Sequence, residues 1–304
     1  MPYDSIVCVK QVPDTANITA EAMKEDGTVN RAALPAIFNP EDLYALEVAL
    51  DVKETRGGTV TAVTMGPPKA ADVLRDCLYR GADRAILLTD RRAAASDTLA
   101  TSYILSQAIR TVGRYDFVFC GRQAIDGDTA QVGPQCAEKL GIRQVTYLEE
   151  LAGLADQTVR IRRNVGHGWE LVEAQLPVLV TVLQTANKPR PPAAKRVLRF
   201  KRARVEAELA AEVQRDLPTA PEEERQAEEG RRAEALKQAG LLIEQWNLDD
   251  IHADLGRCGI AGSPTKVFRV QAIVLTKEGY TDIPPTEEGV GQLIHELVVD
   301  RTLG

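Results

Sequence analysis

Through its first half, the chain alternates short apolar runs with longer amphipathic segments. Residues 3–9 form a β-branched apolar run that predicts a buried strand, and residues 40–54 place leucine and valine at helical spacing behind Pro40. Strands that alternate with helices in this way are typical of a parallel sheet with helices on both faces. The alternation also predicts strands at 59–65, 84–88, 117–121 and 145–147, helices at 68–80, 97–112 and 129–140, and a small hairpin around Asp26-Gly27 that ends near Val29.

Beyond residue 148 the pattern changes to shorter segments. Segments 158–163, 170–173 and 178–183 predict short antiparallel strands, added as an edge to the same sheet. Residues 1–185 are therefore expected to form one α/β domain. Its predicted fold is a doubly wound parallel sheet of the Rossmann-like, adenine-nucleotide-binding kind, with an antiparallel edge.

The C-terminal part of the chain differs in composition from this domain. Residues 187–204 are proline-rich and then strongly basic, and residues 206–238 are dominated by Glu, Ala, Arg and Gln. This second stretch predicts a solvated helix interrupted at Gly230, or else a flexible charged linker. Residues 241–304 are expected to lie outside the core as an extended C-terminal arm. The predicted elements of the arm are a strand at 267–275 and a helix at 287–299.

Composition and charge narrow the class of protein. The 304 residues carry a formal net charge of −7, which argues against general nucleic-acid binding. The N-terminus does not resemble a signal peptide and no apolar run is long enough for a transmembrane helix, so a cytoplasmic protein or one of an organelle matrix is expected. Five cysteines without a CxxC pair predict reduced, buried thiols, and three separated histidines predict no metal site.

The candidate chemistry lies where the predicted strands end. Ligands of open parallel sheets bind at the carboxyl ends of the strands, at the point where the strand order reverses. Segments 8–14, 64–67 and 120–134 leave the sheet at that edge. The third segment is the most informative, because it combines three glycines with Arg122 and runs into a predicted helix whose first amides suit a phosphate.

The residues alone leave other interpretations of this segment open. Segment 120–134 is also compatible with an ordinary strand-to-helix loop, in which Asp128 or Thr129 caps the helix. The chain contains no Walker A sequence, no GxGxxG and no pair of residues that predicts acid–base catalysis, so no catalytic residue is assigned. A nucleotide site without catalytic side chains favours a carrier whose chemistry belongs to its cofactor.

Several ordered motifs together resemble the beta subunit of electron transfer flavoproteins. The most specific one is the run Gly-Arg-Gln-Ala-Ile-Asp-Gly-Asp-Thr at residues 121–129. The resemblance covers nearly the whole chain. The other matching motifs lie at 9–14, 26–31, 39–42, 65–67, 80–85, 262–267 and 285–289.

This resemblance implies a heterodimer with a larger alpha subunit that carries one FAD on a mobile domain. In non-bifurcating members the beta subunit holds AMP. In electron-bifurcating members the same pocket holds the ADP half of a second FAD, which takes hydride from NADH and sends its two electrons along different paths. Residues 127–134 and the loop at 262–265 favour the bifurcating branch. The implied partners are an acyl-CoA dehydrogenase or quinone-linked oxidoreductase, and ferredoxin or flavodoxin as the low-potential acceptor.

The resemblance also assigns cofactor-binding positions. Cys8 and Val9 are implied to line an adenine pocket, and residues 121–134 to form the phosphate loop. Residues 189–201 correspond to a docking loop for partner dehydrogenases, with a solvated basic tether as the alternative. The full implied set is Cys8, Val9, Lys10, Asn39, Glu41, Asp42, Met65, Gly66, Gly121, Arg122, Gln123, Ala124, Asp126, Gly127, Asp128, Thr129, Ala130, Gln131, Val132, Gly133 and Pro134.

Two features depart from the family pattern, and two other functions stay open. Residues 165–168 read Val-Gly-His-Gly where an acidic-glycine run is usual, and the charged stretch at 206–240 is longer than in non-bifurcating members. A universal-stress-type nucleotide-binding protein has the same fold but lacks a long arm. A nucleotide-hydrolysing enzyme is disfavoured by the missing phosphate-loop motifs. The implied organisation is a nucleotide domain at 1–185, a basic docking segment and charged linker at 186–240, and an arm at 241–304 that packs on the alpha subunit.

Overall fold

The fold is built on one large sheet. A computed structural model describes residues 1–14, 34–265 and 282–299. The strands are β1 (Ser5–Cys8), β2 (Gln11–Pro13), β3 (Ala36–Phe38), β4 (Val60–Met65), β5 (Arg84–Leu88), β6 (Phe117–Gly121), β7 (Arg143–Ala155), β8 (Thr158–Asn164), β9 (Trp169–Gln175), β10 (Val178–Val182) and β11 (Glu244–Trp246). The helices are α1 (Pro40–Arg56), α2 (Ala71–Arg80), α3 (Thr98–Val112), α4 (Val132–Leu140), α5 (Ala194–Phe200), α6 (Glu206–Asp216), α7 (Glu222–Gln238) and α8 (Glu287–Val299).

Nine of these strands form the sheet, in the order β11-β5-β4-β1-β6-β10-β7-β8-β9. All pairs from β11 to β7 are parallel, and β8 and β9 continue the sheet as antiparallel strands. The chain builds outward from β1 through β4 and β5, and then crosses back to place β6 on the other side of β1. The strand order therefore reverses between β1 and β6, which confirms the doubly wound α/β class and locates its switch point.

Two hydrophobic cores cover the two faces of the sheet. Side chains alternate along β1, so Val7 packs with α1 and α2 in one core while Ile6 and Cys8 pack with α3 and α4 in the other. Both cores are dominated by branched aliphatic side chains. Burial on both faces explains why the parallel strands are almost continuously apolar.

The strand β10 differs from its expected position. Residues 178–183 were expected at an antiparallel edge, yet β10 lies between β6 and β7 and pairs parallel with both. All five residues of β10 are buried, because a central strand needs apolar side chains on both faces. The antiparallel edge is formed by β7, β8 and β9. Strand β7 runs from 143 to 155, well beyond the predicted 145–147, because its second half pairs with β8.

Two helix boundaries also differ from the prediction. The helix expected from residue 129 begins at Val132, because Asp128 and Ala130 have φ values of 49° and 53°, which a right-handed helix excludes. The expected interruption at Gly230 is absent, and α7 runs continuously across that glycine. Ion pairs from Glu228 to Arg231 and Arg232 span it and offset the low helix propensity of glycine.

Part of the C-terminal segment belongs to the sheet. Strand β11 pairs in parallel with β5 at the sheet edge, and Leu248, Ile251 and Cys258 are buried in the core on the α3 side. The prediction that residues 241–304 lie outside the core as an arm is therefore wrong for these residues. The helix predicted at 287–299 is confirmed as α8. The predicted strand at 267–275 and the hairpin near Asp26-Gly27 lie outside the described residues.

The basic segment after β10 folds back along α1. Arg190 donates to Glu47 through its backbone N–H, at 2.8 Å, and through its guanidinium group, which also contacts Asp51 and Glu54. Asn187 donates to the Tyr44 carbonyl at 2.9 Å. The start of the segment is therefore held by the acidic face of one helix.

No helix in the described part of the chain is both long and apolar enough to span a membrane.

Replacing Arg190 should release this segment. The Arg190→Ala variant is expected to lose about 1 kcal/mol in the free energy of unfolding, because its ion pairs are partly exposed. Limited trypsin digestion should become several-fold faster after Lys195 and Arg196. The exposed Arg202, replaced by alanine, is the matched control: it removes one trypsin site, but cleavage after Lys195 and Arg196 should proceed at the wild-type rate. Equal digestion of both variants would show that Arg190 does not hold the segment.

Candidate functional site

The first turn of α1 joins the ends of the two strands at the switch point. Asn39 lies between the end of strand β3 and the start of the helix, and the Asn39 N–H donates to the Lys10 carbonyl at 2.9 Å. Asp42, which is buried, accepts from the Lys10 N–H at 2.8 Å and from the Gly121 N–H at 3.2 Å. One carboxylate thus ties the residue after β1 to the last residue of β6.

The same turn fixes the loop that leaves β6. Glu41 accepts from the Gln123 N–H at 3.0 Å and from the Arg122 guanidinium at 2.8 Å. Asn39 donates to the Gln123 carbonyl at 2.9 Å and accepts from the Ile125 N–H at 3.2 Å. We name Asn39, Glu41 and Asp42 the α1 clamp. All three are buried, so these hydrogen bonds form where water competes little.

Burial also changes the acidity of Asp42. It raises the pKa of this carboxyl to about 7, although hydrogen bonds from Asn39 and from the backbone N–H groups of Lys10 and Gly121 act in the opposite direction. The clamp therefore contains a carboxyl group that exchanges its proton near neutral pH.

The loop after the clamp is stabilised by its own turn. The N–H groups of Gly127 and Asp128 both donate to the Ala124 carbonyl, at 3.3 and 2.9 Å. Gln123 donates to the Asp128 carboxylate at 2.8 Å, and Lys10 forms a 2.7 Å ion pair with Asp126. Each aspartate of the loop thus has a protein partner, which reduces the repulsion that a bound phosphate would otherwise meet.

The glycines of the loop have different roles. A Cβ on Gly121 would lie 2.5 Å from the Asp42 carboxylate, and one on Gly133 would lie 3.0 Å from Thr181. A Cβ on Gly127 would meet open space, and the left-handed positions belong to Asp128 and Ala130. Gly121 is therefore required for close approach of the clamp, and Gly127 is not required sterically.

Helix α4 begins beside the start of α3. Neither Asp128 nor Thr129 caps α4, contrary to expectation, and Gln131 precedes its first residue. The Gln131 side chain accepts from the Thr98 hydroxyl at 2.8 Å, which links the two helix starts. Pro134 lies in the first turn, where a missing N–H costs little. The first amides of α4, at Val132 and Gly133, have no acceptor within the helix and are the candidate phosphate donors.

On the α3 side of the sheet, sulfur-containing side chains line the strand ends. Cys8 and Cys120 are register partners on β1 and β6, and Met65 ends β4. All five cysteines are buried and free of disulfides, which confirms that expectation. Gly66 follows Met65 and donates to the Leu88 carbonyl at 3.0 Å. In the described ranges, no group of three or more His, Cys, Asp and Glu side chains has an arrangement that suits a metal ion.

A cleft of about 650 Å³ opens on the α1 side of the same edge. Glu41 and Arg122 line it together with Tyr147, Arg163, the 164–166 turn and the 183–185 loop. Of these, only Glu41 and Arg122 were predicted. The others were missed as site residues because they meet only when β10 lies between β6 and β7, although the 164–166 turn overlaps the run at 165–168 that departs from the family pattern.

The arrangement matches a known family. A sequence model of the electron transfer flavoprotein domain matches residues 26–212, which is more than half of the chain. Over 292 residues the chain is 38% identical to the electron transfer flavoprotein subunit beta of Clostridium acetobutylicum, and the alignment covers 96% of each protein. The chain belongs to the electron transfer flavoprotein family. The resemblance inferred from the ordered motifs is thereby confirmed.

Two other relatives extend this finding. The electron transfer flavoprotein subunit beta of Megasphaera elsdenii is 45% identical over 274 residues, which cover 87% of this chain and 86% of that protein. The acryloyl-CoA reductase electron transfer subunit gamma of Anaerotignum propionicum is 50% identical over 187 residues, 60% of this chain and 69% of that protein. This electron transfer flavoprotein chain therefore aligns with beta subunits along most of its length.

Substitution of Gly121 tests how closely the α1 clamp packs against the end of β6. The Gly121→Ala variant is expected to lose about 1–3 kcal/mol in the free energy of unfolding, because the methyl group would overlap the Asp42 carboxylate and the α1 backbone. Urea unfolding measures this loss. In the control Gly127→Ala the added methyl meets open space, so its stability should lie within about 0.5 kcal/mol of wild type. Similar values for the two variants would contradict the close approach.

The Asp42 carboxyl should make stability depend on pH. Its pKa in the folded protein lies above its ordinary value, so ionisation opposes folding. The stability that the proton supplies is complete below about pH 4 and is lost as the pH rises through about 7. As the pH is raised from 5 to 8, the free energy of unfolding of the Asp42→Asn variant should therefore increase by more than about 1 kcal/mol relative to that of wild type.

Thermal unfolding across this pH range measures the Asp42 effect. The exposed Glu138 supplies a control, because Glu138→Gln removes a carboxylate that lies away from the clamp. Its stability should follow that of wild type at a constant offset. A constant offset for Asp42→Asn as well would mean that Asp42 does not titrate in this range.

Proposed function

We propose that this chain is the beta subunit of a heterodimeric electron transfer flavoprotein and binds the ADP part of a FAD at the ends of β1 and β6. The observation that carries the proposal is the α1 clamp, which fixes the loop from Gly121 to Ile125 at the switch point of the sheet. Adenine dinucleotides bind doubly wound sheets at this point. Family membership supports the same ligand class.

The residues around the switch point fit an adenine nucleotide. Cys8 and Met65 supply an apolar surface for the adenine on the α3 side, and the next residue after Cys8, Val9, packs in the core on the other face of the sheet. The first amides of α4 hold the pyrophosphate. The carboxylates nearby are compatible with this anion, since Asp126 is paired with Lys10 and Glu41 with Arg122.

The protein binds and orients, and the cofactor supplies the redox chemistry. When bound, the FAD would supply hydride acceptance from NADH and transfer of one electron toward the alpha-subunit FAD and an acyl-CoA dehydrogenase-type partner, and of one electron toward ferredoxin or flavodoxin. No side chain of this chain is assigned a catalytic role, because a flavin needs positioning and tuning and not a protein nucleophile. The name of the Anaerotignum propionicum relative, an electron transfer subunit of acryloyl-CoA reductase, supports an acyl-CoA partner.

Two exposed regions are suited to partner proteins. On α8, apolar side chains that include Val290, Ile294 and Val298 are about half exposed, and we assign this face to the alpha subunit. On α5, Leu198 is 63% exposed among basic residues, and we assign segment 189–201 to docking of a dehydrogenase or quinone-linked oxidoreductase. Both assignments follow the proposed organisation into residues 1–185, 186–240 and 241–304, with the difference that residues 244–258 pack on the sheet of the first unit. The proposed location is the cytoplasm.

The main alternative is a non-bifurcating subunit that binds AMP. The adenine surface and the α4 amides suit AMP as well as FAD, so the nucleotide half of the site favours neither. The universal-stress-type alternative is disfavoured by family membership.

Cofactor extraction from the co-expressed heterodimer decides between FAD and AMP. The proposal predicts two FAD and no AMP per heterodimer, with bleaching of flavin absorbance by NADH. One FAD with one AMP, and no response to NADH, would establish the non-bifurcating alternative instead.

Loss of the clamp should empty the beta site. In the Asn39→Ala variant, the Gln123 carbonyl and the Ile125 N–H lose their side-chain partner, so the nucleotide of the beta site should bind about tenfold more weakly. The FAD of the alpha subunit should be retained. Asn247→Ala is the matched control, because Asn247 caps a turn after β11, three strands away from β1 in the sheet, and its loss should leave both cofactors in place. Full occupancy in Asn39→Ala would refute the assigned loop.

A further inference from the structure

Two cysteines lie side by side where β1 and β6 end. Cys8 and Cys120 are register partners on these parallel strands, and both side chains pack in the core on the α3 side of the sheet. Register partners on neighbouring strands have Cα atoms about 4.8 Å apart, and a disulfide requires a Cα separation of roughly 4.4–6.8 Å. The sheet therefore holds these two thiols at a separation that a disulfide can span.

The three other cysteines are placed differently. Cys77 lies on α2, in the core on the opposite face of the sheet, and Cys258 lies in the segment after β11. Cys136 lies on α4, where its buried thiol donates to a backbone carbonyl of α3 at 3.5 Å. Of the five cysteines, all within the described ranges, Cys8 and Cys120 alone occupy paired positions on adjacent strands.

The thiol of Cys120 is held in its protonated form. A hydrogen bond with the Cys8 side chain, together with burial, raises the pKa of the Cys120 thiol well above its usual range. Because the thiolate is the reactive form, Cys120 reacts slowly with an oxidant. Cys8 is the last residue of β1 and keeps the larger exposed fraction, 9% against 7%. The first oxidation is therefore assigned to Cys8.

A bond between the two sulfur atoms would change the geometry of the nucleotide site. Neighbouring Cβ atoms that project in parallel from a sheet are about 4.8 Å apart, and a disulfide draws them to roughly 3.5–4.5 Å. Gly121, which follows Cys120, is bound by the α1 clamp. A Cβ on Gly133, in the first turn of α4, would lie 3.7 Å from the Cys120 Cβ. The strand end that must move therefore contacts both the clamp and the helix turn that carries the proposed phosphate donors.

We propose that Cys8 and Cys120 form a reversible disulfide when the beta site is empty, and that a bound nucleotide prevents it. The Cys8 sulfur attacks one oxygen of hydrogen peroxide, the O–O bond breaks and one water leaves, so that Cys8 becomes a sulfenic acid. The Cys120 sulfur then attacks the Cys8 sulfur, the S–S bond forms, and the sulfenic oxygen leaves as a second water. Because the bond draws the strands together, a thiol reductant easily restores both cysteines.

The two parts of this proposal have different foundations. The pairing of the thiols follows from the register of β1 and β6 alone. The protection by nucleotide rests on the proposed function, because it requires the adenine to cover Cys8. Oxidation would thus close an empty subunit to its cofactor until a reductant reopens it.

Peptide mapping of the co-expressed heterodimer tests the pairing. The heterodimer is stripped of its beta-site nucleotide by dialysis against a chaotropic salt, treated with hydrogen peroxide, alkylated and digested with trypsin. Trypsin releases Cys8 in residues 1–10, Cys120 in residues 115–122 and Cys136 in residues 123–139. Linked peptides 1–10 and 115–122 should accumulate and should disappear after dithiothreitol. The matched control Cys136→Ala should give the same linked pair, whereas Cys120→Ala should leave Cys8 as a sulfenic acid that dimedone labels.

Addition of AMP tests the protection. AMP at about ten times its dissociation constant should slow formation of the linked peptides about tenfold, because only the empty fraction of the protein reacts. Ribose 5-phosphate, which lacks the adenine, is the control and should leave the rate unchanged.

The outcomes separate this proposal from the proposed function. No linked peptide in the nucleotide-free heterodimer, or linkage of Cys8 to residues 123–139, would overturn the pairing whatever the beta site binds. Equal rates with and without bound AMP would overturn the protection and the placement of adenine on Cys8. The choice between FAD and AMP is decided separately by the cofactor extraction, since both nucleotides carry the same adenine.

Discussion

The two hydrogen bonds that the buried Asp42 carboxylate accepts hold the switch point together. They connect the backbone after β1 to the end of β6, which come from distant parts of the chain and meet only in the folded sheet. Asn39 and Glu41 add bonds to the next residues of the loop, so a single helical turn determines the path of the chain away from the sheet. Because every partner is a backbone group or a fixed side chain, the site is organised before any ligand arrives.

The sheet separates two environments at this edge. Its α3 side presents Cys8, Cys120 and Met65, which are apolar and polarisable, and its α1 side presents Tyr147 and arginines with fixed positions.

Much of the fold and the loop of the candidate site could be predicted from the sequence, because the sequence patterns that mark them are local. Apolar runs and glycine-terminated helices marked the α/β alternation, and the glycine-rich run at 121–129 marked the loop. The position of β10 could not be predicted, since an apolar run of five residues suits either an edge or a centre. For the same reason Tyr147 and Arg163 were missed. Strand β11, with only three residues, has no periodicity to detect, and the left-handed residues that delay α4 are Asp128 and Ala130 and not glycines.

The segment that contains the charged helices α6 and α7 begins and ends at the same place in the fold. Arg204 pairs with Leu242 by a parallel bridge, and its backbone bonds to Leu241 and Ile243 close the two ends together. Between those ends, α7 has no buried residue. Helix α6 is tied to the rest of the fold, because Glu208 pairs with Arg75 and the Ala207 N–H donates to Gln245 on β11. Loop-closure entropy changes only slowly with the length of the remaining segment. The length and charge of α7 can therefore change without moving β11 or the switch point, which makes this helix a natural position for variation between relatives.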